Sequence, residues 1–154
     1  MRRLKLVLFA GMFLLLGLWL LGLWAGFAWT QGSAPYTEAN VWDLTFVRTK
    51  AGMDDDYLRS LAKTWRANME EAKKQGLILS YKILSAAPAD RDDWNLLLMV
   101  EYKNMAALDG LTEKFDAIAA KIVGTEEQQR ELAIKRFDVR EILGGKLARE
   151  LILK

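Results

Sequence analysis

Residues 94–103 read WNLLLMVEYK, and five of them in a row, Leu96 to Val100, are apolar. Successive side chains of a strand point to opposite faces, so an unbroken apolar run predicts a strand buried on both sides. Upstream, Leu77–Leu84 (LILSYKIL) places Leu77, Leu79, Tyr81 and Ile83 on one face of a second strand. A polar turn at Ala89–Asp93 joins the two. Earlier still, Trp42, Leu44 and Phe46 alternate with Asp43 and Thr45, the period-2 signature of a half-buried strand beginning at Val41.

Two helices punctuate these strands. Asp54, Asp55 and Asp56 supply an N-terminal cap and first-turn acids. Leu58, Leu61, Ala62, Trp65, Met69 and Ala72 follow at spacings of three and four, and Lys73, Lys74 and Gly76 close the helix. Asn104 caps a second helix with the stripe Leu108, Leu111, Phe115, Ile118, Ala119 and Ile122, stopped by Gly124. Thr125 with Gln128 fits a capping box and opens a shorter helix expected to end near Lys135. Phe137–Leu143 and Leu147–Leu153 read as two strands joined by a hairpin at Gly144-Gly145.

The core of this order, βαββαβ, is the ferredoxin-like α+β arrangement: an antiparallel sheet with two helices on one face. Its other face needs a cover. Since the 94–103 strand is apolar on both sides, the cover is expected to be protein, most simply a second copy packed sheet to sheet about a two-fold axis. Leu97, Leu98 and Met99 are the candidate dimer-interface residues.

The N-terminal end has a different character. Arg2, Arg3 and Lys5 precede an apolar run of 24 residues, Leu6 to Trp29, and the next charge is Glu38. As a helix that run would span about 36 Å, enough for a hydrocarbon core of about 30 Å. The basic flank favours the cytoplasmic side, which sends the rest of the chain across. Residues 1–30 are therefore expected to be a signal peptide or a transmembrane anchor through 6–29, residues 31–40 a linker, and 41–154 the exported domain. A cleaved leader and a retained anchor both fit; small-x-small sites occur at Gly26-Phe27-Ala28 and Gly32-Ser33-Ala34.

The chain has 22 Lys and Arg against 20 Asp and Glu, but setting aside Arg2, Arg3 and Lys5 leaves 19 against 20. No basic block with interleaved aromatics remains, so nucleic acid is not an expected partner. There is no cysteine and no histidine. An exported domain of this kind is held by its core rather than by disulfides, and Ser-His-Asp and Cys-His catalysis are ruled out. Asp54–Asp56 and the acids Asp90, Asp92 and Asp93 lack calcium-loop spacing and are read as a helix start and a solvated turn. No metal ion or cofactor is implied. Glu101 and Arg140 stand in otherwise apolar strands and are read as a pair across the sheet.

From Val41 to Lys154 the element order, with LILSYKIL, WNLLLMVEYKNMAALDG and VREILGGKLARELILK, resembles the dimeric α/β-barrel superfamily of small ferredoxin-like proteins. That group includes antibiotic-biosynthesis-type monooxygenases, EthD-like proteins and NIPSNAP-type domains. The C-terminal segment also resembles those of exported bacterial proteins. The resemblance implies a homodimer. It also implies that Trp65 and Asn68 on the first helix, with Tyr57, Tyr81 or Arg66 beside them, line a pocket between helices and sheet. Core packing for Trp65 and a polar helix face for Asn68 are the competing interpretation.

Together these features describe a small exported, homodimeric binding or accessory domain that holds an apolar or aromatic small molecule. Two alternatives stay open: a cofactor-independent monooxygenase or isomerase acting on an aromatic substrate, and a structural interaction domain at the membrane surface.

Overall fold

The computed structural model describes residues 33–154. The expected leader and anchor, residues 1–30, lie outside the described residues. Four strands form one antiparallel sheet: β1 (Tyr36–Thr49), β2 (Ser80–Ser85), β3 (Leu96–Tyr102) and β4 (Arg140–Leu153). Their order is β2-β3-β1-β4, with every neighbouring pair antiparallel, which is the ferredoxin-like arrangement of split βαβ units. β1 opens at Tyr36 rather than at Val41, because Tyr36, Thr37 and Glu38 pair with Leu153, Ile152 and Leu151. The segment expected as linker is therefore strand from Tyr36 onward.

The helices follow β1 and β3. Helix α1 covers residues 54–74 as three continuous pieces: α-helical Asp54–Ser60, a π-helical stretch Leu61–Trp65, and α-helical Arg66–Lys74. A π turn takes an extra residue, so the apolar stripe shifts as it passes through. Tyr57, Leu61, Met69 and Ala72 are buried, whereas Leu58 and Ala62, expected on the stripe, are exposed. A short 3₁₀ turn, Met105–Leu108, is capped by Asn104 Oδ1, which accepts from the Ala107 N–H at 3.0 Å. Helix α2 (Leu111–Ile122) then packs on α1, and helix α3 (Glu126–Val139) begins at the capping box of Thr125 and Gln128.

Helix α3 runs past the expected end at Lys135 and takes in Phe137. The hairpin expected at Gly144-Gly145 does not form. Both halves of the C-terminal segment pair with the single long strand β1, Arg140 against Thr49 at one end and Leu153 against Tyr36 at the other. A hairpin signal acts only when the two flanking segments lack a better partner, and β1 is long enough to hold both. The pairing slips between Phe46 and Val47, beside the two glycines. There a Cβ on Gly145 would stand 3.4 Å from the Leu44 carbonyl oxygen.

Register settles the two faces. Leu96, Leu98 and Val100 of β3 lie opposite Val47, Thr45 and Asp43 of β1. This side meets the helices: Val47, Leu96 and Leu98 cluster with Tyr57 and Leu61, while Val41, Val100 and Tyr102 cluster with Met69, Ala72 and Ile118. The open side carries Leu97, Met99 and Glu101 opposite Phe46, Leu44 and Trp42. Leu98, expected at a dimer interface with Leu97 and Met99, is thus a helix-side core residue. Glu101 and Arg140 are not a pair either. Glu101 on the open face accepts from Asn40 Nδ2 at 2.7 Å and from the Ser80 hydroxyl, and these hydrogen bonds, that of Ser80 foremost, hold its carboxyl below the usual range.

Candidate functional site

A cleft that holds two of the sequence candidates, Trp65 and Asn68, lies among the three helices. Its volume is about 290 Å³, and Trp65, Asn68, Phe115, Leu132 and Arg136 are among its walls. The π stretch of α1 brings Trp65 to the mouth of this cleft. Thr64 Oγ1 donates to the Ser60 carbonyl at 3.0 Å, and Asn68 Nδ2 donates to the Thr64 carbonyl at 2.8 Å. The two side chains tie the irregular turn together, and π turns of this kind recur at functional sites.

Of the four residues singled out for binding, Trp65 and Asn68 line the cleft. Tyr81 touches Trp65 edge to face, with centroids 5.2 Å apart and planes at 89°, from the sheet side. The Tyr81 hydroxyl donates to Glu70, and that bond, with burial, pushes the phenol pKa up. Tyr57 is elsewhere. It is buried against the sheet with Val47, Leu61, Leu96 and Leu98, and is a core residue rather than a cleft residue. Arg66 is exposed on α1.

Arg136 is the residue that sequence patterning missed. It follows Leu132 by four on α3, one turn along the same face, but the helix was expected to stop at Lys135. Its Nη2 donates to Thr64 Oγ1 at 3.1 Å, while its Nε is buried without a hydrogen-bond partner. Arg140 lies close by, its guanidinium 5.4 Å from the Tyr57 ring and 5.9 Å from the Phe137 ring, with Nε and Nη1 likewise buried and unbonded. Burial, and then the charge of Arg140, lower the Arg136 pKa. A second cleft of about 390 Å³ opens from Arg136 between α1 and α3, with Arg59, Lys63, Thr64 and Lys135 on its walls.

The aspartates fill local roles. Asp54 accepts from the Thr49 hydroxyl and from Asn95 Nδ2, pinning the start of α1 to β1 and to the residue before β3. Asp90 and Asp93 accept backbone N–H groups of their own turn, and Asp92 meets Arg48 at 3.3 Å. Asp43 differs. It sits on the helix side of β1 between Val41 and Thr45, half-buried, and burial raises its pKa. It also helps raise Tyr102, whose phenol is pushed up to about 12, chiefly by burial.

A carboxyl whose folded pKa lies above the unfolded value adds stability below the unfolded pKa and loses it as pH rises through the folded one. Asp43→Asn is therefore expected to raise the melting temperature at pH 7, with the two proteins converging below about pH 4, the ordinary aspartate range. Melting curves by circular dichroism at pH 7 and pH 3.5 check this. A variant that melts lower at pH 7 would show that the charged carboxylate has a partner worth more than its desolvation.

Among solved structures, the domain is similar to HapK from Hahella chejuensis, with 10% identity over 71% of this chain and 91% of that one and a TM-score of 0.47. It is also similar to a dimeric ferredoxin-like protein from an uncultured marine organism (14% identity, 77% and 90% covered, TM-score 0.46). A dimeric protein of unknown function and ferredoxin-like fold from Bacteroides fragilis aligns at 11% identity over 72% and 94%, with a TM-score of 0.38. No family model matches the chain, nor does any curated protein.

Proposed function

We propose that the chain is an exported, homodimeric binding domain that pairs sheet to sheet, as a dimeric α/β barrel, and holds an apolar or aromatic small molecule in the helix cleft. One observation carries the dimer. A half-buried strand ordinarily turns its apolar set to the core, but β1 does the reverse in its middle. Asp43 and Thr45 face the helices, while Trp42, Leu44 and Phe46 face the open side beside Leu97 and Met99. Lys82 over the Trp42 ring at 5.0 Å and Lys146 over Phe46 at 6.0 Å give this apolar centre a charged rim. An apolar centre with a polar rim is the anatomy of a protein interface. Sedimentation equilibrium at micromolar concentration tests it: a dimer is expected, and a folded monomer throughout that range would refute the pairing.

Export rests on Arg2, Arg3 and Lys5 followed by the run from Leu6 to Trp29. The domain would then work beyond the cytoplasmic membrane, and residues 6–29, where retained, would tether it there. A C-terminal alkaline phosphatase fusion, which folds only after translocation, is expected to be active. An expressed but inactive fusion would reverse the topology.

The cleft supports the binding role through its mixture of Trp65, Phe115 and Leu132 with the polar Asn68 and Arg136. Small-molecule sites are commonly apolar walls with a few placed polar groups.

A further inference from the structure

We infer that the ligand of the helix cleft is an organic anion, an apolar or aromatic body bearing one carboxylate, whose acidic end is received at Arg136. The inference rests on the ligand-binding role proposed for that cleft and adds the charge and shape of what it takes.

The two arginines at this junction have no acidic partner within ion-pair distance among the described residues. Among the described residues, Arg136 and Arg140 form no ion pair; the ion-paired cations are Arg48, Arg59, Lys121 and Arg149. Three of their guanidinium nitrogens, Arg136 Nε with Arg140 Nε and Nη1, are buried and lack a hydrogen-bond acceptor. Two neighbouring guanidinium groups withdrawn from water repel each other and each loses hydration, a cost that proteins usually meet with a carboxylate or phosphate. Among the described residues no carboxylate pairs with either guanidinium, and the one acid on the wall of the first cleft, Asp116, forms no ion pair with them. The cleft beyond Arg136 is also basic: Lys63 and Lys135 line it, and its one acid, Asp56, is engaged by Arg59 at 2.7 Å. A third observation fixes orientation. Arg136 and Leu132 belong to both clefts, so an anion at Arg136 can have its apolar body among Trp65, Phe115 and Leu132 on one side and the lysines on the other. Thr64 holds Arg136 Nη2 at that junction, so the guanidinium is positioned before the ligand arrives.

A carboxylate suits the site better than a dianion, because it meets a guanidinium with two oxygens while bringing a single charge to a cleft walled by Trp65, Phe115 and Leu132. A volume of about 290 Å³ suits one or two fused rings or a short alkyl chain.

The test is isothermal titration calorimetry on the full chain in nanodiscs, with empty nanodiscs subtracted. The probes are 2-naphthoate, its uncharged isostere 2-naphthamide, and octanoate. Naphthoate is expected to bind at least about tenfold more tightly than the amide, the scale of a charge-assisted hydrogen bond. Arg136→Gln is expected to erase that preference, so that acid and amide bind alike. Lys63→Gln with Lys135→Gln, both exposed and harmless to folding, is expected to reduce the preference several-fold, and it decides the matter if Arg136→Gln fails to fold. Octanoate binding in place of naphthoate would assign the body to a lipid chain rather than a ring and keep the anion. If acid and amide bind equally, the cleft binds ligands but the anion inference fails. An acid preference that survives every variant also overturns it, since the carboxylate is then held elsewhere. Binding of none of the three probes removes the cleft as the ligand site, and with it the role on which this inference rests.

Discussion

Leu97→Asp is expected to leave a folded monomer, while Leu98→Asp is expected to leave no folded domain. The two residues are adjacent, chemically identical and equally hidden, each 8% exposed, yet they point to opposite faces of β3. Leu98 packs with Val47, Tyr57, Leu61 and Leu96 under α1. A carboxylate there loses the apolar burial, about 1.5–3 kcal/mol, and adds an unpaired buried charge costing several kcal/mol more. Against a total stability of about 5–15 kcal/mol, that is enough to unfold the domain. Leu97 is hidden by Phe46 and Leu84, its cross-strand neighbours on the open face, and an aspartate there can turn to water as long as no partner covers it. In a paired sheet the same carboxylate, and that of its copy, would be trapped in the apolar centre. We expect the dimer dissociation constant to rise at least about a hundredfold, an effect of roughly 3 kcal/mol. Leu44→Asp, opposite Met99 on the same face, is expected to act like Leu97→Asp. Sedimentation equilibrium with far-ultraviolet circular dichroism reads both quantities. An intact dimer in Leu97→Asp would mean that the open face meets something other than a second copy.

Much of this architecture was legible before the coordinates. The unbroken run Leu96–Val100 marked a strand with apolar residues on both faces, and the capping box at Thr125 marked the start of α3. What stayed hidden has physical causes. Period-2 alternation says that two faces of a strand differ, but not which one meets the helices, so Trp42, Leu44 and Phe46 gave no sign of facing outward. Gly144-Gly145 carries local hairpin propensity, and only the length of β1, extended through Tyr36–Asn40, overrides it. The π stretch at Leu61–Trp65 rotates the first turns of α1, which is why Tyr57 replaces Leu58 in the core. At the site, Trp65 and Asn68 entered through the family resemblance, as neighbours three residues apart on one helix, and both stand on the wall of the cleft. Arg136 was not, because its place in the cleft depends on α3 running on to Val139.

Tyr57→Ala is expected to destabilise the domain by about 3–5 kcal/mol, the range for truncating a buried aromatic side chain. Tyr57 is 1% exposed and stands between the π stretch and the sheet, against Val47, Leu61, Leu96 and Leu98. It also carries Arg140 on its ring face at 5.4 Å, and burial raises its phenol pKa against the opposing charges of Arg140 and Arg136. Removing the ring would open a cavity in the core and strip the Arg140 guanidinium of an aromatic contact it has in place of a carboxylate. The ring makes the packing contacts and the hydroxyl adds at most a hydrogen bond with Arg140, so Tyr57→Phe is expected to cost no more than about 1.5 kcal/mol, the scale of one ordinary hydrogen bond. Urea denaturation of both variants measures the difference. For a domain of this size the alanine variant would melt roughly 3–6 °C lower per kcal/mol lost. The pattern separates the core role from the pocket role that the family resemblance implied. A pocket tyrosine would lose ligand affinity and keep stability when truncated. Tyr57→Ala as stable as the parent, with binding impaired, would return Tyr57 to the pocket and show that the packing around it is not the reason for its place in the chain.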